Sequence, residues 1–432
     1  MLDHLIDQVF RRENGRVLAT LIRATRDFEL AEDALQEACA RAASTWPRDG
    51  LPQRPGAWLT TVARRCAVDL VRRRLGSPSW TSEPSAEEVP GAETEEDPAL
   101  ISGVEDDRLR LLFTCCHPAL AQPAQVALAL RTLCGLATRE IARAFVEPEA
   151  TTAQRLVRAK RKIRDAGIPY EVPRPDVFPE RLEAVEAVVY LVFNEGYAST
   201  DAQGLVRPDL SAEAIRLGRL LVELLPDEVE AQGLLALMLL HDARREARLG
   251  PDGALISLEE QDRALWDAAL IREGTSLLDA AVAARRPGPY QVQAAIAALH
   301  AGARRAEETD WVQISALYSA LLRYLPTPVV ELNAAAALAM AQGPEEGLRW
   351  MDCLSSRAEL QGYHLLPAAR ADLLRRAGRK EEARLAYAAA LALVRNPAER
   401  RYLERRLLAL DAAEARGQSE VLPPETPGTS PG

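Results

Sequence analysis

Apolar residues recur at three- and four-residue spacing along almost the whole of this chain, and that rhythm admits helices and little else. In FELAEDALQEACARAASTW, Phe28, Ala31, Leu35, Ala38, Cys39, Ala42 and Trp46 fall on one helical face. Ala, Leu, Arg and Glu dominate, and few segments are rich in β-branched residues. The expected fold class is all-α. A chain of 432 residues is long enough for roughly two to four domains, each burying its own core. No apolar run reaches membrane-spanning length and MLDHLIDQVFRRENG lacks a signal-peptide pattern, so a cytoplasmic protein is expected.

The net charge of −10 conceals strong segregation: +3 over residues 1–75, −10 over 76–107, +8 over 108–164 and −11 over the remainder. Basic modules on an acidic protein suit a local nucleic-acid contact and argue against general coating. Cys39, Cys66, Cys115, Cys116, Cys134 and Cys353 sit mostly inside apolar helical patterns. Cys115-Cys116-His117 is the one group with metal-ligand chemistry. Adjacent helical residues point about 100° apart and the spacing is not C-x2-C, so buried thiols are expected, with no metal and no cofactor.

The stretch from Leu133 to Arg164, LCGLATREIARAFVEPEATTAQRLVRAKRKIR, reads as two short helices around a turn. Leu136, Ile141, Ala142 and Phe145 give the first an apolar face, with Thr138 its expected N-cap. Glu147-Pro148 interrupts, because proline suits the first turn of a helix and not its interior. In the second helix, Leu156 and Ile163 share a face while Gln154, Arg155, Arg158 and Arg161 are free to point outward. This is a helix-turn-helix pattern. An amphipathic pair with a solvated basic face reads the same locally, so the upstream segments must decide.

Upstream, a helix over about Leu2–Arg12 leads into a second carrying Val17, Leu18, Leu21 and Ile22. The helix after Phe28 has an acidic face on which Glu29, Asp33 and Glu37 recur every four residues, with Glu32 beside them. Like charges at helical spacing want solvent or a basic partner. PRDGLPQRP, Pro47 to Pro55, is expected as a loop. In AWLTTVARRCAVDLVRRR, Trp58, Leu59, Val62, Cys66, Leu70 and Val71 can face a core, while Arg64, Arg65, Arg72 and Arg73 stay outside. Such cations suit a phosphate backbone, or the dipole at a helix end.

Taken together and in this order, AEDALQEACARA, WLTTVARRCAVDLVRRR, GLATREIARAF and ATTAQRLVRAKRKIR resemble the helices of a bacterial sigma-70-superfamily RNA polymerase sigma factor. The likeness is to the compact extracytoplasmic-function group, which keeps only the second and fourth regions. It implies that Glu29, Glu32, Asp33, Gln36 and Glu37 dock on the coiled coil of the polymerase's largest subunit. It assigns Arg64, Arg65, Arg72 and Arg73 to the −10 element. Thr151, Thr152, Gln154, Arg155 and Arg158 would face the major groove at the −35 element, where Arg suits guanine and Gln adenine. Lys160, Arg161, Lys162 and Arg164 would hold phosphates. Glu-Pro in the turn departs from the commonest family form and leaves the exact base contacts open.

The resemblance gives region 2 over 1–75, an acidic disordered linker over 76–107 and region 4 over 108–167. A Pro-rich connector follows over 168–180 and a helical extension over 181–300. LLPDEVEAQGLLALMLL at 224–240 resembles YLPTPVVELNAAAALAM at 324–340, and GPEEGLRWMD at 343–352 resembles GRKEEARLAY at 378–387. This points to tetratricopeptide-like helix pairs over 301–415, stacked as a solenoid whose concave face binds a protein or peptide. The tail 416–432 is Pro/Gly/Ser-rich and expected to be disordered. Sigma factors of one subgroup carry such an extension, which implies control by it.

Asn194, Glu195 and Tyr197 in YLVFNEGYAST could, with His241 or His300, form a site, but helix termination at Gly196 explains them as simply. No Gly-rich phosphate loop, metal spacing or nucleophile–base pattern supports an enzyme. The expected function is promoter recognition with core RNA polymerase and promoter DNA as partners, no membrane and no catalytic residues. The other reading is a tetratricopeptide-type DNA-binding regulator that does not replace sigma.

Overall fold

The computed structural model describes residues 2–74, 98–145, 147–197 and 208–419. Among these are eighteen α-helices and no strand, so the chain is all-α, with one isolated bridge between Leu249 and Leu255. Most of the expected linker and tail falls on residues 75–97 and 420–432, outside the described residues. The chain divides into two compact units, Met1–Glu195 with Asp209–Pro226, and Gly196–Pro208 with Asp227–Gly432.

The first unit opens with α1 (Leu2–Thr25), α2 (Phe28–Asp49) and α3 (Pro55–Arg74). α1 is one helix where the sequence suggested two. Gly15 does not break it: a Cβ there would lie 3.0 Å from the Leu133 carbonyl oxygen, so the glycine is what lets another chain segment approach. Beside it the Asn14 amide donates to the Thr132 carbonyl at 2.8 Å.

α2 starts at the Asp27 cap, whose carboxylate accepts from the Glu29 and Leu30 amides at 2.9 and 3.1 Å. The helix then runs through Pro47 to Asp49, past the expected loop boundary. Proline lacks the amide that would meet the Ala43 carbonyl, a loss that costs less at a residue as exposed as Ala43, where solvent reaches the backbone. Gly50, at φ +88°, closes the helix with its amide on the Trp46 carbonyl at 3.0 Å. Trp46 is buried and packs against Phe10 and Trp58 at 5.6 and 5.3 Å between ring centres. Its burial stabilises the three-helix group by about 3 kcal/mol.

Next come α4 (Pro98–Cys115), α5 (Gln122–Thr132), α6 (Thr138–Ala144) and α7 (Glu149–Asp165). α4 begins inside the segment expected as linker. Asp107, read there as a solvated charge, is fully buried, 3.2 Å from the Arg23 guanidinium and 2.8 Å from that of Arg110. Paired arginines turn a linker acid into an anchor between α1 and α4. The first carbonyl bonded within α6 is that of Ala137, and the Glu140 carboxylate accepts from the Ala137 amide at 2.7 Å. Ala137, not Thr138, is therefore the cap.

α8 (Phe178–Tyr197) and α9 (Pro208–Leu224) complete this core. Phe178 stacks on Phe113 at 5.3 Å and Arg181 donates to the Phe113 carbonyl at 2.6 Å. Arg216 donates to the Leu133 carbonyl at 2.7 Å, and Arg108 pairs with Glu223 at 2.8 Å. The helices expected to open a separate extension thus cover α4 and α5. α8 also continues through Gly196, which is not its stop.

The second unit holds α10 (Val229–Asp242), α11 (Ala268–Ala283), α12 (Pro289–Gly302), α13 (Trp311–Leu321), α14 (Pro328–Gln342), α15 (Pro344–Leu354), α16 (Leu365–Arg376), α17 (Lys380–Leu393) and α18 (Pro397–Ser419). Successive helices from α10 onward pack as neighbours. α14 turns into α15 at Gly343 (φ +110°), and α16 into α17 at Gly378 (φ +75°). The two segments that resemble each other in sequence therefore each start at a glycine of positive φ, alone between its helices at Gly343 and within a three-residue connection at Gly378. One core of Leu348, Met351, Leu373, Leu374, Tyr387 and Leu403 runs across α15 to α18. Asn396 caps α18, its carboxamide oxygen accepting from the Ala398 amide at 2.9 Å, and the helix runs to Ser419, beyond the expected end near Ala415.

Helix crossings in this unit depend on small residues. A Cβ at Gly347 would lie 2.5 Å from the Ala339 Cβ and 2.6 Å from the Ala335 carbonyl oxygen. Gly347→Ala should destabilise by about 1–3 kcal/mol in urea unfolding, although alanine is the better helix former by about 1 kcal/mol.

Candidate nucleic-acid interface

α3 presents its cations on one side because its other side is core. Leu59, Val62, Ala63 and Cys66 are buried, while Arg64, Arg65, Arg72 and Arg73 are exposed. Val68, half exposed on the same side, gives this basic face an apolar patch. Arg73 reaches to 3.8 Å from Glu37, which also accepts from Arg41 at 2.7 Å. On α2, Glu29, Asp33 and Gln36 are exposed, whereas Glu32 and Glu37 are partly covered.

The residues matching this face carry the decisive comparison. Residues 9–75 match the family described as Sigma-70 region 2. That match supports a factor of the sigma-70 superfamily. A region 2 over α1 to α3 suggests a sigma-factor-like role in RNA polymerase binding and promoter recognition. Residues 181–282 match a family of unknown function, DUF6596. Uncharacterized protein R00370 of Rhizobium meliloti (strain 1021) is 45% identical over 411 residues, covering 95% of this chain and 97% of that protein. The relationship therefore extends well beyond region 2, through the helical extension. No solved structure matches.

Phe145, Glu147 and Pro148 lie between α6 and α7. Leu156, Ala159 and Ile163 seat α7 on its neighbours. Thr151, Gln154, Arg158 and Arg161 recur at three- and four-residue spacing on the exposed side, with Lys162 and Arg164 also exposed. Three residues expected on that surface are held elsewhere. Thr152 is buried, its hydroxyl donating to Glu147 at 2.5 Å. Arg155 makes a two-pronged pair with the same carboxylate at 2.5 and 2.6 Å and lies 4.9 Å over the Phe145 ring. Lys160 is turned inward onto Glu32 of region 2 at 2.5 Å.

Glu147, whose role the sequence left open, is thus the clasp of the turn. Its carboxylate joins α7 to the turn through Thr152 and Arg155, a charge-assisted arrangement stronger than neutral hydrogen bonds. The only sequence signal for this was an acid eight residues before an arginine, a spacing that no helix-face rule selects. Val157, half exposed on α7, was also missed, because an apolar residue beside Leu156 reads as core. Glu147→Ala should destabilise the first unit by about 1–3 kcal/mol in urea and release Arg155 to solvent.

The thiols have structural surroundings. Cys115, Cys116 and Cys134 are fully buried, and Cys115 lies 3.2 Å from the Thr132 hydroxyl. Burial pushes the Cys115 thiol up to about 12, and those of Cys39 and Cys66 to about 11. Thiols so placed are poor nucleophiles and poor metal ligands. Among the described residues, no group of three or more His, Cys, Asp or Glu is placed to hold a metal. Nor is any described helix long and apolar enough to cross a membrane.

The Tyr197 cluster is an arginine–aromatic stack within the second unit. Arg244 donates to the Tyr197 hydroxyl at 2.8 Å, and the Arg248 guanidinium sits 3.6 Å over the Tyr197 ring while donating to its carbonyl. His241 packs against Tyr197 at 5.0 Å, and His300 against Trp311 at 5.2 Å. Burial, reinforced by Arg244 and Arg263, lowers the His300 imidazole to about 4. His241 is depressed further by burial and by Arg244, Arg248 and His300. Asn194 and Glu195 precede Tyr197 on α8.

A histidine depressed on folding stabilises the native state above its unfolded pKa of about 6.5, and that stabilisation is lost as pH falls towards 4. The unfolded chain binds the proton more readily there, so stability should fall with acid. His300→Gln should flatten the loss between pH 6.5 and 4 by up to about 3 kcal/mol relative to wild type in pH-dependent thermal unfolding.

Proposed function

We propose that the chain is an alternative-sigma-type initiation factor that brings core RNA polymerase to −35/−10 promoters and assists their melting. The observation that carries this reading is the exposed arginine face of α3 inside the matched region 2. Arg64, Arg65, Arg72 and Arg73 hold the −10 DNA, their charge suiting a displaced strand. The acidic side of α2, Glu29, Glu32, Asp33, Gln36 and Glu37, docks on the largest-subunit coiled coil. Phosphodiester chemistry is left to the polymerase, and this chain supplies no catalytic residue.

In this reading α4 to α7 form region 4. The exposed residues Thr151, Gln154 and Arg158 of α7 read the −35 bases, with Val157 available to a thymine methyl. Arg161, Lys162 and Arg164 hold phosphates. Thr152 and Arg155 act indirectly, by fixing the turn through Glu147, and Lys160 contributes only once it has left Glu32.

The helices from α10 onward form the tetratricopeptide-like part, which takes a protein or peptide partner and controls initiation. The packing of α8 and α9 on α4 and α5 supports a control element built into region 4 rather than tethered to it. A cut after Gly167 would strip those helices away. A cut after Pro226 keeps the first unit whole.

Run-off transcription from sheared genomic DNA with sigma-free core polymerase tests the proposal. Discrete new transcripts with a shared upstream motif are expected. DNA binding without transcripts would favour a solenoid regulator that does not replace sigma. Arg161→Ala should weaken promoter binding across sequences and reduce the salt slope by about 1, whereas Arg158→Ala should relax the base preference at one −35 position. Ending the chain after Pro226 should change run-off yield several-fold; equal yield would remove the control role.

A further inference from the structure

Lys160 and Glu32 lie 128 positions apart in the chain, yet their side chains meet at 2.5 Å with only 12% of each exposed. Lys160 lies on α7 among the cations expected to hold −35 DNA, and Glu32 on the α2 stripe expected to meet polymerase. The second carboxylate oxygen of Glu32 is buried with no hydrogen-bond partner. Its charge is therefore answered by Lys160 and little else. The Cys115 thiol beside the pair feels both charges, raised by Glu32 and lowered by Lys160.

We propose that the Glu32–Lys160 ion pair is an autoinhibitory latch joining the polymerase-docking stripe of α2 to the DNA-reading helix α7. This rests on the reading of the chain as a polymerase-binding initiation factor. While the pair is closed, neither charge is available to an outside partner. A basic polymerase surface approaching α2 competes with Lys160 for Glu32, and success releases Lys160 towards DNA. Breaking the pair alone is costly, since it strands a buried charge. Breaking it in exchange for a second cation is not. Core polymerase and promoter DNA then favour the same open state, so each raises the affinity of the other.

The test uses the full chain and three variants, read by affinity for core polymerase and by amide hydrogen exchange. Lys160→Met strands Glu32 and should open the latch, accelerating exchange in α2 and α7 and tightening core binding roughly tenfold or more. Lys160→Gln, whose amide still donates to Glu32, should give a smaller effect of the same sign and serves if Lys160→Met does not fold. The double variant E32M/K160M removes both charges and should restore slow exchange, because an apolar pair of similar size tolerates the burial.

Unchanged exchange in both single variants would overturn the latch, as would core affinity equal to or weaker than wild type. If no protein, wild type included, binds core or supports run-off transcription, the initiation-factor reading fails. The autoinhibitory role falls with it, and exchange then decides the contact alone: acceleration in the single variants with recovery in the double shows that the pair holds α2 to α7, and its absence shows that it does not.

Discussion

Glu32 holds a full charge where water scarcely reaches, and the first unit is arranged so that a cation from a distant helix meets it. Removing a carboxylate from water costs several kcal/mol unless a partner is fixed close by. That partner is Lys160, and it is in reach because Leu156, Ala159 and Ile163 are buried where α7 packs on α5 and α6. Gly15 and Asn14 bring α1 against the end of α5, and Asp107 ties α1 to α4 through Arg23. Tyr170 adds its hydroxyl between the Ala19 and Asp107 carbonyls, at 3.0 Å from each. The surfaces assigned to polymerase and to DNA thus share one packed body rather than two beads on a string.

Polar side chains do different work in the second unit. Its helices meet through alanines and glycines, which allow close crossings, and the left-handed turns at Gly343 and Gly378 reverse the chain between paired helices. Arginines stacked on Tyr197 and Trp266 fill the long connection between α10 and α11, and burial, helped by Arg244 and Arg248, depresses the His241 imidazole. An arrangement of that kind stabilises a loop without offering a nucleophile or a base. Tyr197 of the Asn194–Tyr197 motif is held by that packing.

Much of region 2 was legible in the sequence. The buried stripe from Leu30 to Trp46 and the arginine face of α3 follow from helical period alone, and so does the exposure of Gln154 and Arg158 on α7. Local rules failed where a distant segment intervened. The two helices expected before Asp27 are one, and Gly15 within it leaves room for the Leu133 carbonyl. Pro47 looked like a helix stop, but a final turn tolerates it. Asp107 looked like solvated linker charge, and Arg155 like a free groove contact, until Arg23 and Glu147 were in place beside them.

By itself the sequence determined the helical class, the order of the sigma-like segments and the faces each helix buries, because these depend on neighbours three and four residues away. Tertiary structure decided which charges are free and which are spent. It put Lys160 on Glu32, Arg155 on Glu147 and Asp107 on Arg23, and it built α8 and α9 into the core of α4 and α5. Electrostatic partners are chosen by proximity in space and by the cost of desolvation, and neither can be counted along the chain.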